Sequence, residues 1–142
     1  MIIGVGVDLV DMRRIERLLK RFGQHFTEKV FTPDERSYAD NSPHTLRAYA
    51  NRFAAKEATA KALGTGFKEG IGWHDIEVFR TSSGAPSLYF HRMAYEKFES
   101  LIPPGYRGMS HVSFSDEPPY STAFVVLSVS SETNVLSYNT IP

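Results

Sequence analysis

Three charged side chains stand in stretches of this chain that are otherwise apolar. Asp8 interrupts the run MIIGVGVDLV, and Glu57 and Lys61 lie within the alanine-rich segment RFAAKEATAKALGTG at 52–66. In a helix, Phe53, Glu57 and Lys61 recur at i, i+4 and i+8 and share one face. The spacing admits two readings. One is an exposed Glu–Lys pair contributing about 0.3–0.5 kcal/mol; the other is a half-buried metal ligand beside a phosphate-binding lysine. Asp8 bears on the choice. Aspartate is disfavoured in strands, so it is paired, solvated at the strand end, or bound to a cation. Two carboxylates brought together repel unless a divalent cation or a shared proton lies between them. With hard oxygen ligands and no cysteine, Mg²⁺ is the natural cation, and it keeps positions open for water and substrate phosphates. Such a set suits phosphoryl transfer, where catalysis is mostly positioning and charge neutralisation.

Other chemistry is less well supplied. His111 stands among Ser110, Ser113 and Ser115, but no G-x-S-x-G elbow exposes a nucleophile. The remaining histidines, His25, His44, His74 and His91, form no H-x-x-x-H zinc pair. Gly64 and Gly66 follow the helical pattern rather than precede it, so they are helix C-caps and not a phosphate loop.

These side chains need elements to position them. Residues 2–10 are rich in Ile and Val and read as a buried strand, with Gly4 and Gly6 permitting close approach of another backbone. Asp11 caps a helix over 12–22 whose apolar face is Ile15, Leu18, Leu19 and Phe22. A connector holding His25 and Phe26 leads to Thr32-Pro33-Asp34-Glu35, a capping box that opens a short helix over 33–40. Ser42-Pro43 then opens the long helix to Leu63, roughly 30 Å at 1.5 Å per residue. A hairpin pairs 76–79 with 86–90, and a helix over 92–101 offers Met93, Tyr95, Phe98 and Leu101 as its apolar side. Strands over 111–115 and 123–129 close a domain spanning 1–130, and 131–142 reads as a polar tail. Hairpins dominate the second half, so the expected class is α+β, an antiparallel sheet packed on one long helix in a single domain.

Composition limits the partners. Among 142 residues, 16 basic side chains balance 16 acidic ones, which leaves no global field to attract nucleic acid or membrane. A local patch remains: Arg13, Arg14, Arg17, Lys20 and Arg21 face a single Glu16, and an acidic protein partner explains it better than DNA. No leader pattern and no apolar run of about 18 residues is present, so the expectation is a cytoplasmic chain.

Taken together, the blocks G-V-G-V-D at 4–8, F-T at 31–32, R-F-A-A-K-E-A-x-x-K-A-L-G-T-G at 52–66, W-H-D-I-E-V at 73–78, G-x-P at 84–86 and H-V-S at 111–113 carry a resemblance. The chain resembles the small, single-domain bacterial 4′-phosphopantetheinyl transferases of the holo-[acyl-carrier-protein] synthase type, over about residues 1–129. The resemblance implies the fold of that family. It also implies transfer of the phosphopantetheine arm of coenzyme A to a serine of apo acyl carrier protein, for fatty acid biosynthesis. Asp8 and Glu57 would hold Mg²⁺ against the coenzyme A pyrophosphate, and Lys61 would contact the phosphates. Arg52, Gly84, Pro86 and His111 match positions at or near the coenzyme A site. The basic helix would dock the carrier protein, and the chain would form a homotrimer with sites at its seams. In this chain Ala85 stands between Gly84 and Pro86 and cannot contact an anion with its side chain. Two other classes match parts of the pattern: a non-catalytic module binding an acidic partner through the basic helix, and a Mg²⁺-dependent hydrolase of pyrophosphate bonds. Only an enzyme needs Asp8 and the Glu57–Lys61 pair.

Overall fold

In the computed structural model, which describes residues 1–131, a 19-residue helix is buried almost all round. This helix, α4 (Thr45–Leu63), has 14 buried residues, too many for a surface helix, so other elements surround it. Ala54, Ala55, Ala58, Ala60 and Ala62 are all buried, and their small side chains let neighbouring backbones approach closely. Gly64 ends the helix in the left-handed conformation at φ 79°. The start falls two residues later than Ser42-Pro43 suggests. Ser42 Oγ accepts from His44 N at 3.1 Å, so its capping capacity closes a turn before the helix begins.

β1 (Ile2–Asp11) lies against α4 and pairs antiparallel with β5 (Tyr120–Ser131), which pairs in turn with β4 (Tyr106–Glu117). The sheet order is therefore β1-β5-β4. Its inner face, formed by Gly4, Gly6 and Asp8 with Ala123, Val125 and Leu127, meets the helix. The strand is not buried on both sides as its composition suggested. Val5, Val7 and Leu9 are 51%, 55% and 66% exposed, and Phe124 beside them is 47% exposed.

Four helices in place of three follow β1: α1 (Met12–Phe22), α2 (Gln24–Val30), α3 (Pro33–Asp40) and then α4. The segment expected as a connector is α2. It escapes sequence reading because its seven residues are too few to show a period, and its N-cap is Gly23 with no side-chain hydrogen bond. α1 buries Met12 and Ile15, whereas Phe22 is exposed. The Thr32–Glu35 capping box forms as expected. β2 (Ile76–Arg80) and β3 (Pro86–Phe90) make a separate two-stranded sheet, followed by α5 (Arg92–Ser100). α5 buries Ala94 and Phe98, while Met93 and Tyr95 of its expected apolar side are exposed. The final strands are longer than expected and are joined through a cis Pro118–Pro119 bond. The class is α+β with antiparallel sheets around one long helix, as the hairpin-rich second half implied. The tail lies, from residue 132 onward, outside the described residues. Among the described residues no helix is long and apolar enough to cross a membrane.

One ion pair in this core has no forerunner in the sequence reading. Lys56 and Glu35 meet at 2.7 Å with both side chains fully buried. Lys56 Nζ also donates to the carbonyls of Trp73 and Ile76, at 2.8 and 2.5 Å. Glu35 accepts from the backbone of Thr32 and Val78, at 2.8 and 2.9 Å. A charge left without these partners would be costly, so the pair fixes α4, α3 and β2 to one another.

Candidate functional site

Register decides where Asp8 goes. It lies opposite Ala123 on the inner face of β1, in phase with the glycines that touch α4, and its side chain is only 17% exposed. It is therefore not a solvated strand-end residue. Lys61 Nζ reaches it from α4, donating to Asp8 Oδ1 at 3.0 Å and to the Val7 carbonyl at 2.9 Å. The i,i+4 spacing suggested Glu57 as the partner of Lys61; the ion pair is made with Asp8 instead. Glu57, one turn earlier on the same helix face, is half-buried and has no ion pair among the described residues. Its pKa is raised, first by burial and then by the negative charge of Asp8, with Lys61 and Arg14 opposing. Arg14 is brought here by α1, its guanidinium 5.5 Å from the centre of the Phe53 ring. Two carboxylates and two cations thus converge where β1, α1 and α4 meet.

Arg52 belongs to a different place. It precedes Glu57 by five residues, about 140° around the helix at 3.6 residues per turn, and turns toward α3 and β2. Although it is 2% exposed, its Nε has no hydrogen-bond partner; Nη1 donates to the Ala48 carbonyl at 3.3 Å. The guanidinium sits 3.9 Å from the Tyr38 ring centre, and burial lowers its pKa. Arg80 approaches the same ring at 5.7 Å and donates to the Gly84 carbonyl at 2.6 Å. Gly84 turns the hairpin with φ 85°, and Pro86 is paired with Arg80 across it. Arg52, Gly84 and Pro86 are in this way gathered around Arg80.

His111 is in a third position. It is exposed on the outer face of β4, opposite Val126, so the sheet separates it from Asp8 of the same chain.

The basic helix divides into two sets. Arg13 is held by both carboxylate oxygens of Asp11, at 2.7–3.1 Å, which lowers the Asp11 pKa to about 2. Lys20 pairs with Glu16 at 2.9 Å. Among the described residues no ion pair engages Arg14, Arg17 or Arg21, which recur at i, i+3 and i+7 along one face with Leu18 between them. Three of the five cations are thus outside any ion pair among the described residues.

The sequence reading missed Arg14 as a neighbour of Glu57, and missed Arg80 altogether. An arginine at the exposed end of a short strand gives no signal until α3 is seen to bring Tyr38 beside it.

A family pattern described as the 4′-phosphopantetheinyl transferase superfamily matches residues 4–109. A holo-[acyl-carrier-protein] synthase of Methylobacterium sp. (strain 4-46) is 53% identical over 127 residues, covering 89% of this chain and 94% of the relative. Among solved structures, the holo-[acyl-carrier-protein] synthase of Neisseria meningitidis superimposes with a TM-score of 0.78 at 36% identity, covering 90% and 99% of the two chains. The Helicobacter pylori holo-[acyl-carrier-protein] synthase in complex with coenzyme A does so with a TM-score of 0.74 at 28% identity, covering 87% and 99%. On a pattern matched over most of its length and a fold shared at high coverage, the chain belongs to the 4′-phosphopantetheinyl transferase superfamily.

Proposed function

We propose that this chain transfers the 4′-phosphopantetheine arm of coenzyme A to a serine hydroxyl of an apo acyl carrier protein, releasing adenosine 3′,5′-bisphosphate, in the cytoplasm and in the service of fatty acid biosynthesis. The observation that carries the proposal is the convergence of Asp8, Glu57 and Lys61, contributed by two elements far apart in sequence. The names of the relatives and the coenzyme A bound to the Helicobacter pylori neighbour support it.

The residues present fit Mg²⁺. Burial and, after it, the charge of Asp8 raise the pKa of Glu57, so two carboxylates face one site and a divalent cation would satisfy both. Among the described residues no cluster of three or more metal-ligating side chains exists. That suits an ion which takes one or two carboxylates and completes its shell with water and substrate phosphates. When bound, Mg²⁺ would neutralise pyrophosphate charge as the transfer proceeds. In the reaction, the serine oxygen forms a bond to the phosphorus that bears pantetheine. The bond from that phosphorus to the oxygen of the adenosine bisphosphate breaks, and the hydroxyl proton is lost. Lys61 would stabilise charge on the departing bisphosphate. Asp8 holds Lys61 in place, and Arg14 adds a second positive charge near Glu57.

Arg52, Gly84, Pro86 and His111 are proposed as the part of the site that binds the rest of coenzyme A. A homotrimer would unite the parts. The outer sheet face carries Val5, Val7, Leu9 and Phe124 exposed, together with His111, and covering it with a second copy would place His111 at a seam between protomers. Arg14, Arg17 and Arg21 are proposed to dock the acidic carrier protein beside Glu57.

The experiment is to incubate the chain with coenzyme A, Mg²⁺ and an apo acyl carrier protein. Mass spectrometry should show a carrier heavier by one phosphopantetheine. No mass gain with a competent carrier, and none when Mn²⁺ replaces Mg²⁺, refutes the transferase. Coenzyme A breakdown at the same rate without any carrier would favour a hydrolase.

A further inference from the structure

The two peptide groups that flank the Cα of Asp8 are each gripped by a side chain from outside β1. Before it, the Val7 carbonyl accepts from Lys61 Nζ at 2.9 Å; after it, the carbonyl of Asp8 itself accepts from Thr122 Oγ1 at 2.8 Å. Successive carbonyls of a strand point to opposite sides, and β1 has a partner strand on one side only. The Asp8 carbonyl faces that partner, β5, which carries Thr122; the Val7 carbonyl faces the open side, where Lys61 reaches it from α4. A peptide group is planar, so the orientations of these two planes fix φ and ψ of Asp8 and with them the direction of its side chain. Register places Thr122 on the outer face of the sheet, half-buried, beside Leu9 on β1 and Ser115 on β4. Strand-forming shape alone would be served there by a threonine or a valine. It does not explain a hydroxyl spent on the backbone of the residue whose carboxylate emerges on the opposite face.

Resting on the reading of Asp8 and Glu57 as a Mg²⁺ site, we infer that Thr122 is a positioning residue for that site, holding Asp8 from behind so that its carboxylate stays aimed at Glu57. Lys61 cannot be the only hold. Its side chain is 53% exposed, and its ammonium is the group proposed to meet the substrate phosphates. Of the three donors of an ammonium, Val7 and Asp8 occupy two. Contact with more than one phosphate oxygen takes donors away from them. The Thr122 bond involves no group that takes part in the reaction, so it persists while Lys61 turns to the substrate. It therefore keeps the carboxylate in one geometry in both states. A metal ligand loses affinity when the group that orients it is removed, and Thr122 orients Asp8 through its main chain.

The test titrates Mn²⁺ into the full chain at saturating coenzyme A without any carrier, reading free Mn²⁺ by electron paramagnetic resonance. Thr122→Val removes the hydroxyl and keeps the branched shape; Thr122→Ser keeps the hydroxyl and removes a methyl group. The valine variant should bind Mn²⁺ about fivefold more weakly, as the loss of one neutral hydrogen bond implies. The serine variant should bind it as wild type does. In carrier modification the valine variant should need about fivefold more Mg²⁺ for half-maximal rate, with KM for the carrier unchanged. Unchanged Mn²⁺ affinity in Thr122→Val overturns the assignment, and so does equal weakening in both variants, which marks a packing role. If wild type binds no Mn²⁺, or Glu57→Gln binds it as wild type does, the metal reading fails instead. Amide hydrogen exchange in the metal-free chain then decides on Thr122. Faster exchange at Asp8 and Ala123 in the valine variant, with Val125 unchanged, supports the hold on Asp8, and unchanged exchange at all three overturns it.

Discussion

Replacing Gly6 by alanine tests whether the contact between β1 and α4 sets the catalytic geometry. A Cβ at this position would lie 2.8 Å from the carbonyl carbon of Ala58 and 2.9 Å from the amide nitrogen of Ala62, and closer still to the Ala58 oxygen. Favourable contact between such atoms begins at about 3.5 Å. All three atoms are helix backbone and cannot swing away as a side-chain tip would. The strand must retreat by on the order of 1 Å. Asp8, two residues along on the same face, moves with it and stretches its 3.0 Å bond to Lys61. Overpacking of this kind costs about 1–3 kcal/mol, or a Tm lower by very roughly 2–12 °C for a domain of this size. A displacement near 1 Å in a positioned site costs about 100-fold in rate, equivalent to about 2.7 kcal/mol of transition-state stabilisation. Steady-state kinetics of carrier modification and scanning calorimetry read the two effects. Gly4→Ala is the internal control. It presses on Ala62 one strand repeat further from Asp8, so it should lower Tm comparably with a smaller loss of kcat/KM. Wild-type Tm and kcat/KM in Gly6→Ala would show that the close approach does not position Asp8.

Glu57→Gln should abolish Mg²⁺-dependent turnover while the chain stays folded; full activity would remove Glu57 from the site. Because the folded state raises the Glu57 pKa, it holds that proton more tightly than the unfolded chain does. Stability in metal-free buffer should therefore fall as pH rises from the ordinary glutamate range through the raised value. Added Mg²⁺ should recover that loss in wild type but not in the glutamine variant, read as Tm with and without chelator. Glu35→Gln should destabilise by about 3–5 kcal/mol by stranding Lys56, whereas Glu35→Leu with Lys56→Met should cost less than the two single changes together in a denaturation double-mutant cycle. Arg17→Glu with Arg21→Glu should raise KM for the carrier about tenfold or more and leave KM for coenzyme A unchanged, while Arg13→Ala, whose cation is already held by Asp11, should do much less. Arg52→Met should raise the Tm of the ligand-free chain and weaken coenzyme A binding, as calorimetry with and without coenzyme A would show.

The parts of this fold that local chemistry determines were legible in the sequence. Thr32 and Glu35 spell a capping box, Asp11 an N-cap and Gly64 a stop, and each rests on residues within one turn. α2 was not legible, because seven residues preceded by a glycine cap are held by burial of Phe26 and Val30 rather than by their own pattern. Asp8, Glu57 and Lys61 could be singled out because charge is out of place among alanines and valines. Which of them pair could not be read, since helix spacing favours Glu57–Lys61 and only the strand register brings Asp8 to Lys61. The dual role of Glu35 was hidden for a similar reason. Its capping function is local, and its bond to Lys56 depends on tertiary contact.

α4 carries two buried cations that the fold treats in opposite ways, and the contrast separates architecture from function. Lys56 is satisfied completely, by a carboxylate and two carbonyls, so its charge joins three elements at no cost in unmet hydrogen bonding. Arg52, one turn earlier on the same face, is buried as deeply but stacked on an aromatic ring, beside a second arginine and with an orphaned N–H. Packing alone does not account for such an arrangement, because a methionine would fill the space without stranding a charge. Stability sacrificed at one position, in a core that satisfies its neighbour fully, is what the anion-binding role proposed for Arg52 predicts. On that argument Arg52 is the costly residue of the ligand-free chain, and the coenzyme A proposed to bind there would supply the acceptor its Nε lacks.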